Sequence, residues 1–291
     1  MSSTQVQGQA ELPSLEAVVR QIDEISTLPD IAVRVMQVAQ DERTGAADLK
    51  EIMENDVALS ARVLRCVNSS AYAVRIKITN LQQAIAYLGL KQVRNLAMTA
   101  SVSDLFRKEG QIGPYCRRGL WKHLVSVGIC ARLIAMRRGI RNFEDAFLAG
   151  LLHDVGIVLE DQHLHSRFVR VIQGLNPTKT LAEVERGQMG FDHAMLGEKV
   201  AESWSFPDSI VRAIRYHHMA MNARGEDVEI VRCVEVANLI CTLKGITSVG
   251  LKLVKVCKPT MASLSMTGDD VAVIAEDLDQ ELLKNATLFT L

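Results

Sequence analysis

Apolar residues recur at helical spacing along most of the 291-residue chain, and the six prolines (Pro13, Pro29, Pro114, Pro177, Pro207, Pro259) fall between those stretches. That pattern favours helices packed through apolar stripes over strands, whose side chains alternate with a period of two. Composition agrees: aromatic residues make up 4% of the chain, while Ala, Leu, Met, Glu, Gln and Arg are abundant. The expected class is therefore all-α, a helical bundle. The spacing predicts helices at about 15–25, 30–40, 46–54, 57–67, 81–89, 91–106, 116–138, 143–153, 161–173, 181–187, 193–203, 208–218, 228–243 and 269–285. Start signals support several of them: Thr180 with Glu183 fits a capping box, Asn142 precedes Glu144 and Asp145, Pro207 suits a first turn, and Thr267 leads into Asp269 and Asp270.

Length suits one large domain or two intimately packed ones. Residues 1–13 read as a loose tail, with neither the basic start nor the apolar run of a secretory signal. A seam is expected at 107–115, where Gly110, Gly113 and Pro114 interrupt two long periodic stretches. It separates an amino-terminal helical region, 14–110, from a core at 111–245. A carboxyl-terminal extension, 246–291, ends in a helix, and its first part, 244–265, is ambiguous between helix and strand. No apolar run is long enough to span a bilayer. The net charge of −1 gives no general attraction for nucleic acid or an anionic membrane, so neither is expected as a partner. Six cysteines without a C-x-x-C pair read as reduced, buried thiols of a cytoplasmic protein.

All seven histidines lie between His123 and His218. His123 sits in a long apolar helix, His153 and Asp154 close the run AFLAGLLHDVG, His193 opens a helix, and His217 and His218 end the next. Imidazole nitrogens with a carboxylate oxygen suit Fe, Mn, Ni or Zn, and helices of a bundle can aim such groups at one point. Adjacent residues on a helix diverge by about 100°, so His153 and Asp154 share a metal only if it sits across the helix face or near a helix end, which Gly156 makes available. Taken singly, His123 also reads as a hydrogen-bonded core histidine, and His217 with His218 as favourable charge at a helix carboxyl end. His163 and His165 read as surface residues. A helix-turn-helix reading of LQQAIAYLGLKQVRNLAM rests on Gly89 as the turn and on Lys91 and Arg94 as phosphate contacts.

The order H…HD…H…HH resembles the HD superfamily of metal-dependent phosphohydrolases. The stretches LPDIAVRVMQVAQ, LSARVLRCVNSSAY, LQQAIAYLGLKQVRNLAM, AFLAGLLHDVG and FDHAMLGEKVAESWSFPDSIVRAIRYHH resemble its HDOD branch, the HD-related output domains of bacterial signalling proteins, over roughly 15–245. The resemblance implies an HD-like helical core with an additional amino-terminal helical region and a regulatory role. It also places His123, His153, Asp154, His193, His217 and His218 at metal or phosphate ligand positions, with Glu185 and Asn238 lining the site. Two departures weigh against turnover: the lysine of catalytic HD proteins falls at Ile157, and the closing aspartate falls at Asn238. Met219 and Ala220 likewise replace the acidic and glycine-rich run that follows the second histidine pair in catalytic relatives. An asparagine brings no negative charge and accepts no proton from an attacking water. The expected function is a non-catalytic signalling module that binds a protein partner or a small nucleotide-like ligand. The alternative is a metal-dependent phosphohydrolase, acting on nucleotides or cyclic dinucleotides, with an altered ligand set.

Overall fold

The computed structural model describes residues 12, 14–25, 30–40 and 44–290. Apart from Leu12, the stretch read as a tail lies outside the described residues, as do parts of the loops that follow the first two helices. The fold is helical, with a single two-residue hairpin among the described residues.

Six helices come first: α1 (Leu15–Ile25), α2 (Asp30–Gln40), α3 (Ala46–Glu54), α4 (Val57–Val67), α5 (Leu81–Leu88) and α6 (Leu90–Val102). Side-chain caps start two of them, Asp56 accepting from Leu59 N and Asn80 from Gln83 N. The expected helix at 91–106 ends as α6 at Val102 and tightens into a 3₁₀ turn, Ser103–Phe106. The seam is a hairpin, β1 (Gln111–Ile112) with β2 (Tyr115–Cys116), turning at Gly113 with φ of 52°. The Tyr115 hydroxyl and Arg117 Nε tie it to buried Asp161 at 3.0 and 2.5 Å.

The core is built on α7 (Arg117–Arg137) and α8 (Phe143–Leu152), followed by α9 (Val155–His163), α10 (His165–Gly174), α11 (Leu181–Met189), α12 (His193–Ser203), α13 (Asp208–Tyr216) and α14 (Val228–Leu243). By length and composition α7 would pass for a membrane span, but 72% of its apolar window is buried inside the fold. Helices α7 and α8 approach so closely that a Cβ on Gly150 would lie 2.8 Å from the Cα of Gly128, a contact only glycine permits. Against them pack α14 and α13, α12 lies on α13 and α9, and α1 crosses from the amino-terminal region to lie on α12 and α9.

The sequence expectation of one helix at 161–173 is corrected to two, α9 and α10, joined at Leu164. Every residue of α9 from Val155 to Asp161 is buried. A helix buried on all sides has no polar face, so the amphipathic period that reveals helices is missing there. The ambiguous stretch at 244–265 is irregular as far as Cys257 and then forms a short helix, α15 (Lys258–Ser263), with Pro259 in its first turn. The final helix, α16 (Gly268–Lys284), starts at Thr267 as expected, with a capping box of Thr267 and Asp270, and packs along α7.

Arg94, offered as a phosphate contact by the helix-turn-helix reading, is 3% exposed. Its guanidinium binds Asn95 Oδ1 and Asp145 Oδ1, at 2.8 and 2.7 Å through Nη2. Lys91 reaches the other oxygen of Asp145 at 2.9 Å. These cations join α6 to α8, so both are already engaged with Asp145.

Candidate metal centre

His153 and Asp154 form the junction between α8 and α9: His153 is the last cap of one and Asp154 the first of the other. The chain turns there, which lets two neighbouring side chains face one point. Gly156 makes the third approach possible. A Cβ at Gly156 would overlap the carbonyl oxygen of His193, so its absence lets the first turn of α12 touch that of α9. Asp192, accepting from Met195 N, caps α12 and sets His193 at its start. His123 comes from α7, and His217 and His218 follow the end of α13.

All six side chains converge. Asp154 Oδ1 lies 3.1 Å from His217 Nε2 and 3.3 Å from His193 Nε2. Its Oδ2 lies 3.2 Å from His153 Nε2 and 3.6 Å from His123 Nε2. His218 Nε2 stands 3.0 Å from His193 Nε2. Asp154 thus belongs to two groups with metal-compatible spacing, one with His193, His217 and His218, the other with His123 and His153. Every member is buried except His218, which is exposed.

The other ring nitrogens settle the tautomers. The Nδ1 atoms of His123, His153 and His217 lie 2.8, 2.7 and 2.7 Å from the carbonyls of Ile246, Gly150 and Ile214. A carbonyl only accepts, so each Nδ1 carries a hydrogen and each ring turns its Nε2 toward Asp154. His123 Nε2, His153 Nε2 and Asp154 Oδ1 are buried without a hydrogen-bond partner. An Nε2 lone pair facing a carboxylate repels it unless a proton or a metal ion lies between them. Imidazoles held by Nδ1 to carbonyl or carboxylate are also the usual arrangement of metal-ligating histidines. The residues therefore fit a divalent metal.

Charges follow the same geometry. Burial opposes ionisation of Asp154, yet His153, His193 and His217 around it hold its carboxyl well below the usual range. Burial and the adjacent His153 push His123 down to about 4, and burial also lowers His217. His193 differs. Against burial, Glu185 first and then Asp154 raise it well above the ordinary imidazole value. Glu185 Oε2 accepts from both Nδ1 and the backbone N of His193, at 2.6 and 3.0 Å.

The centre forms one side of a cavity of about 210 Å³. Asp154, His193, His217, His218 and Asn238 face it, whereas His123 and His153 lie behind Asp154. Asn238 Oδ1 accepts from Thr242 Oγ1 at 3.3 Å. Ile157 is fully buried and is not part of the cavity wall. His165, 60% exposed, pairs with Asp161 Oδ1 at 3.0 Å, while His163 is half-buried rather than on the surface. Neither reaches the centre. Two participants escaped the sequence reading: Glu235 on α14, and the irregular segment after that helix, from which Ser248, Val249, Leu251, Leu253, Val254 and Lys255 line the cavity. Glu235 had a readable signal, since it lies one turn before Asn238 on the same helix.

The sequence profile of the HDOD domain matches residues 25–220. A solved HDOD domain protein of unknown function from Geobacter sulfurreducens is 29% identical, covers 94% of this chain and 96% of its own, and superposes with a TM-score of 0.78. A protein from Shewanella amazonensis, provisionally assigned as a phosphohydrolase, shares the fold at 20% identity with a TM-score of 0.70, covering 94% of this chain and 97% of its own. One from Marinobacter aquaeolei, provisionally assigned to signal transduction, shares it at 21% and 0.75, covering 95% and 63%. An uncharacterised Treponema pallidum protein is 22% identical over 75% of this chain, which spans 42% of that protein's length.

Proposed function

The chain belongs to the HDOD domain family, and on that footing we propose that it is a signalling module that works by holding a metal-supported ligand in the histidine cavity, without turning a substrate over. The observation that carries this reading is the set of Nε2 atoms directed at Asp154, each ring held by an Nδ1 hydrogen bond. Asp154, His193, His217 and His218 would hold one ion; His123 and His153 would hold a second through the other Asp154 oxygen. Nitrogen-rich sets with one carboxylate suit Fe, Mn, Ni or Zn. A bound ion would act as a Lewis acid and lower the pKa of a coordinated water.

Two of the chain's own residues, Ile157 and Asn238, weigh against turnover. Position 157 carries an isoleucine sealed in the core, so it contributes no cation to a phosphate. Asn238 faces the cavity with an amide, which orients a ligand by hydrogen bonds but takes no proton. Arg186 and Arg215 stand at the rim, engaged with Asp192 and Glu198, and Lys255 joins them from the outer wall. These favour an anionic, nucleotide-like ligand, and its occupancy is the signal read by a protein partner. The six cysteines, all unpaired, support a cytoplasmic setting.

The five histidines gathered around Asp154 favour the second reading, a metal-dependent phosphohydrolase with an altered ligand set. The two separate cleanly in protein loaded with Fe(II) or Mn(II) and offered nucleotides and cyclic dinucleotides. The module reading expects bound metal and no hydrolysis. Metal-dependent turnover at about 1 s⁻¹ or faster, abolished in Asp154→Ala, overturns it.

A further inference from the structure

Where the amino-terminal helices meet the core lies a second cavity, of about 720 Å³, that shares no lining residue with the histidine cavity. Its walls come from four places in the chain: Phe106 in the 3₁₀ turn after α6, Cys116 in the seam hairpin, Trp121 in the second turn of α7, and Phe289 in a closing 3₁₀ turn, Ala286–Thr290. Ligand cavities of this size favour such junctions. Aromatic residues make up 4% of the chain, yet three of them gather here. Phe106 and Trp121 pack with ring centroids 5.2 Å apart and planes tilted by 38°, an apolar surface on which a flat ring can lie. Trp121 is only 5% exposed, and its indole N–H meets no acceptor among the described residues, although it is not sealed from solvent. A buried indole N–H ordinarily finds a partner, so this one is a donor left open at the cavity wall.

The charges beside it are mostly positive. Arg118 stands one turn before Trp121 on α7, exposed and without an ion pair among the described residues. Arg107 shares Asp104, at 2.9 Å, with Arg62. Helix α7, 21 residues long, starts at this wall and adds the positive end of its dipole. Glu109 supplies the one carboxylate among the described lining residues. We propose that this cavity is a second ligand site, for a small aromatic anion: one flat ring carrying a carboxylate or a phosphate. The ring lies against Phe106, Trp121 and Phe289, an acceptor on the ligand takes the Trp121 N–H, and the acidic group meets the fork of Arg118. Nothing in this arrangement depends on a metal in the histidine centre.

Calorimetric titration of metal-free protein with benzoate, phenyl phosphate and uncharged phenol tests the site and tells the two acidic groups apart. At least one anion is expected to bind with a Kd of ~1 mM or tighter, and phenol about tenfold more weakly or worse. Affinity for that anion should fall about 10- to 100-fold in Arg118→Ala, an exposed position, and about 3- to 10-fold in Trp121→Phe, which keeps a ring and removes the N–H. Asp154→Ala should leave it unchanged. In Trp204→Phe protein, where Trp121 is the remaining tryptophan, the same anion should shift the emission. Neither anion binding more tightly than phenol overturns the proposal. So does affinity that survives Arg118→Ala, or affinity lost in Asp154→Ala, which would place the anion in the histidine cavity instead.

Discussion

Asp154 is the residue on which both halves of the centre depend, because each of its oxygens faces a different group of imidazoles. Asp154→Asn preserves its size and removes its charge, so we expect it to abolish metal retention by both groups. Elemental analysis of desalted protein checks this. His218→Ala, by contrast, takes one exposed ligand from one group, and part of the metal should remain. Gly156 acts through space instead. The Cβ of Gly156→Ala would meet the His193 backbone, and overpacking at such a contact costs about 1–3 kcal/mol. Urea unfolding should show that loss, together with weakened metal binding from a displaced His193. The order of these residues was legible in the sequence, since adjacency explains His153 with Asp154 and the resemblance supplied the rest. The hydrogen-bond partner of His123 was not, because the Ile246 carbonyl is brought alongside by a segment 123 residues further along the chain.

Among elements, the join between α6 and α8 offers the clearest pH dependence. Burial opposes the charge of Asp145, but Arg94 and then Lys91 keep its carboxyl below the usual range. A group depressed in the folded state stabilises fully above its unfolded pKa, about 3.9 for aspartate, and loses that contribution as pH falls through the folded value. Wild-type protein should therefore lose stability more steeply below pH ~4 than Asp145→Asn, whose melting temperature should already be lower at pH ~7. Equal slopes would show that the ion pair does not join the helices. Element existence was readable where a stripe faced a core, as in α1 with its buried Val18 and Ile22. It failed at α9, where burial on every side erased the stripe, and at α15, a helix too short for a period to show.

Across the whole molecule, the centre is assembled from parts that lie far apart in the chain. The family profile ends at residue 220, yet His123 Nδ1 is held by Ile246, Asn238 lies on α14, and residues 248–255 wall the cavity. The carboxyl-terminal stretch is thus built into the site, although its sequence offered no element to read. Nothing in its periodicity marks it, because an irregular segment is fixed by what it covers. A crystal grown in the presence of Fe(II) or Mn(II), measured on both sides of the metal absorption edge, tests the metal centre most directly. Anomalous density between the Asp154 carboxylate and the Nε2 atoms of His193 and His217 is the expected result. Density confined to the protein surface, with the six side chains in place and no ion among them, would contradict it.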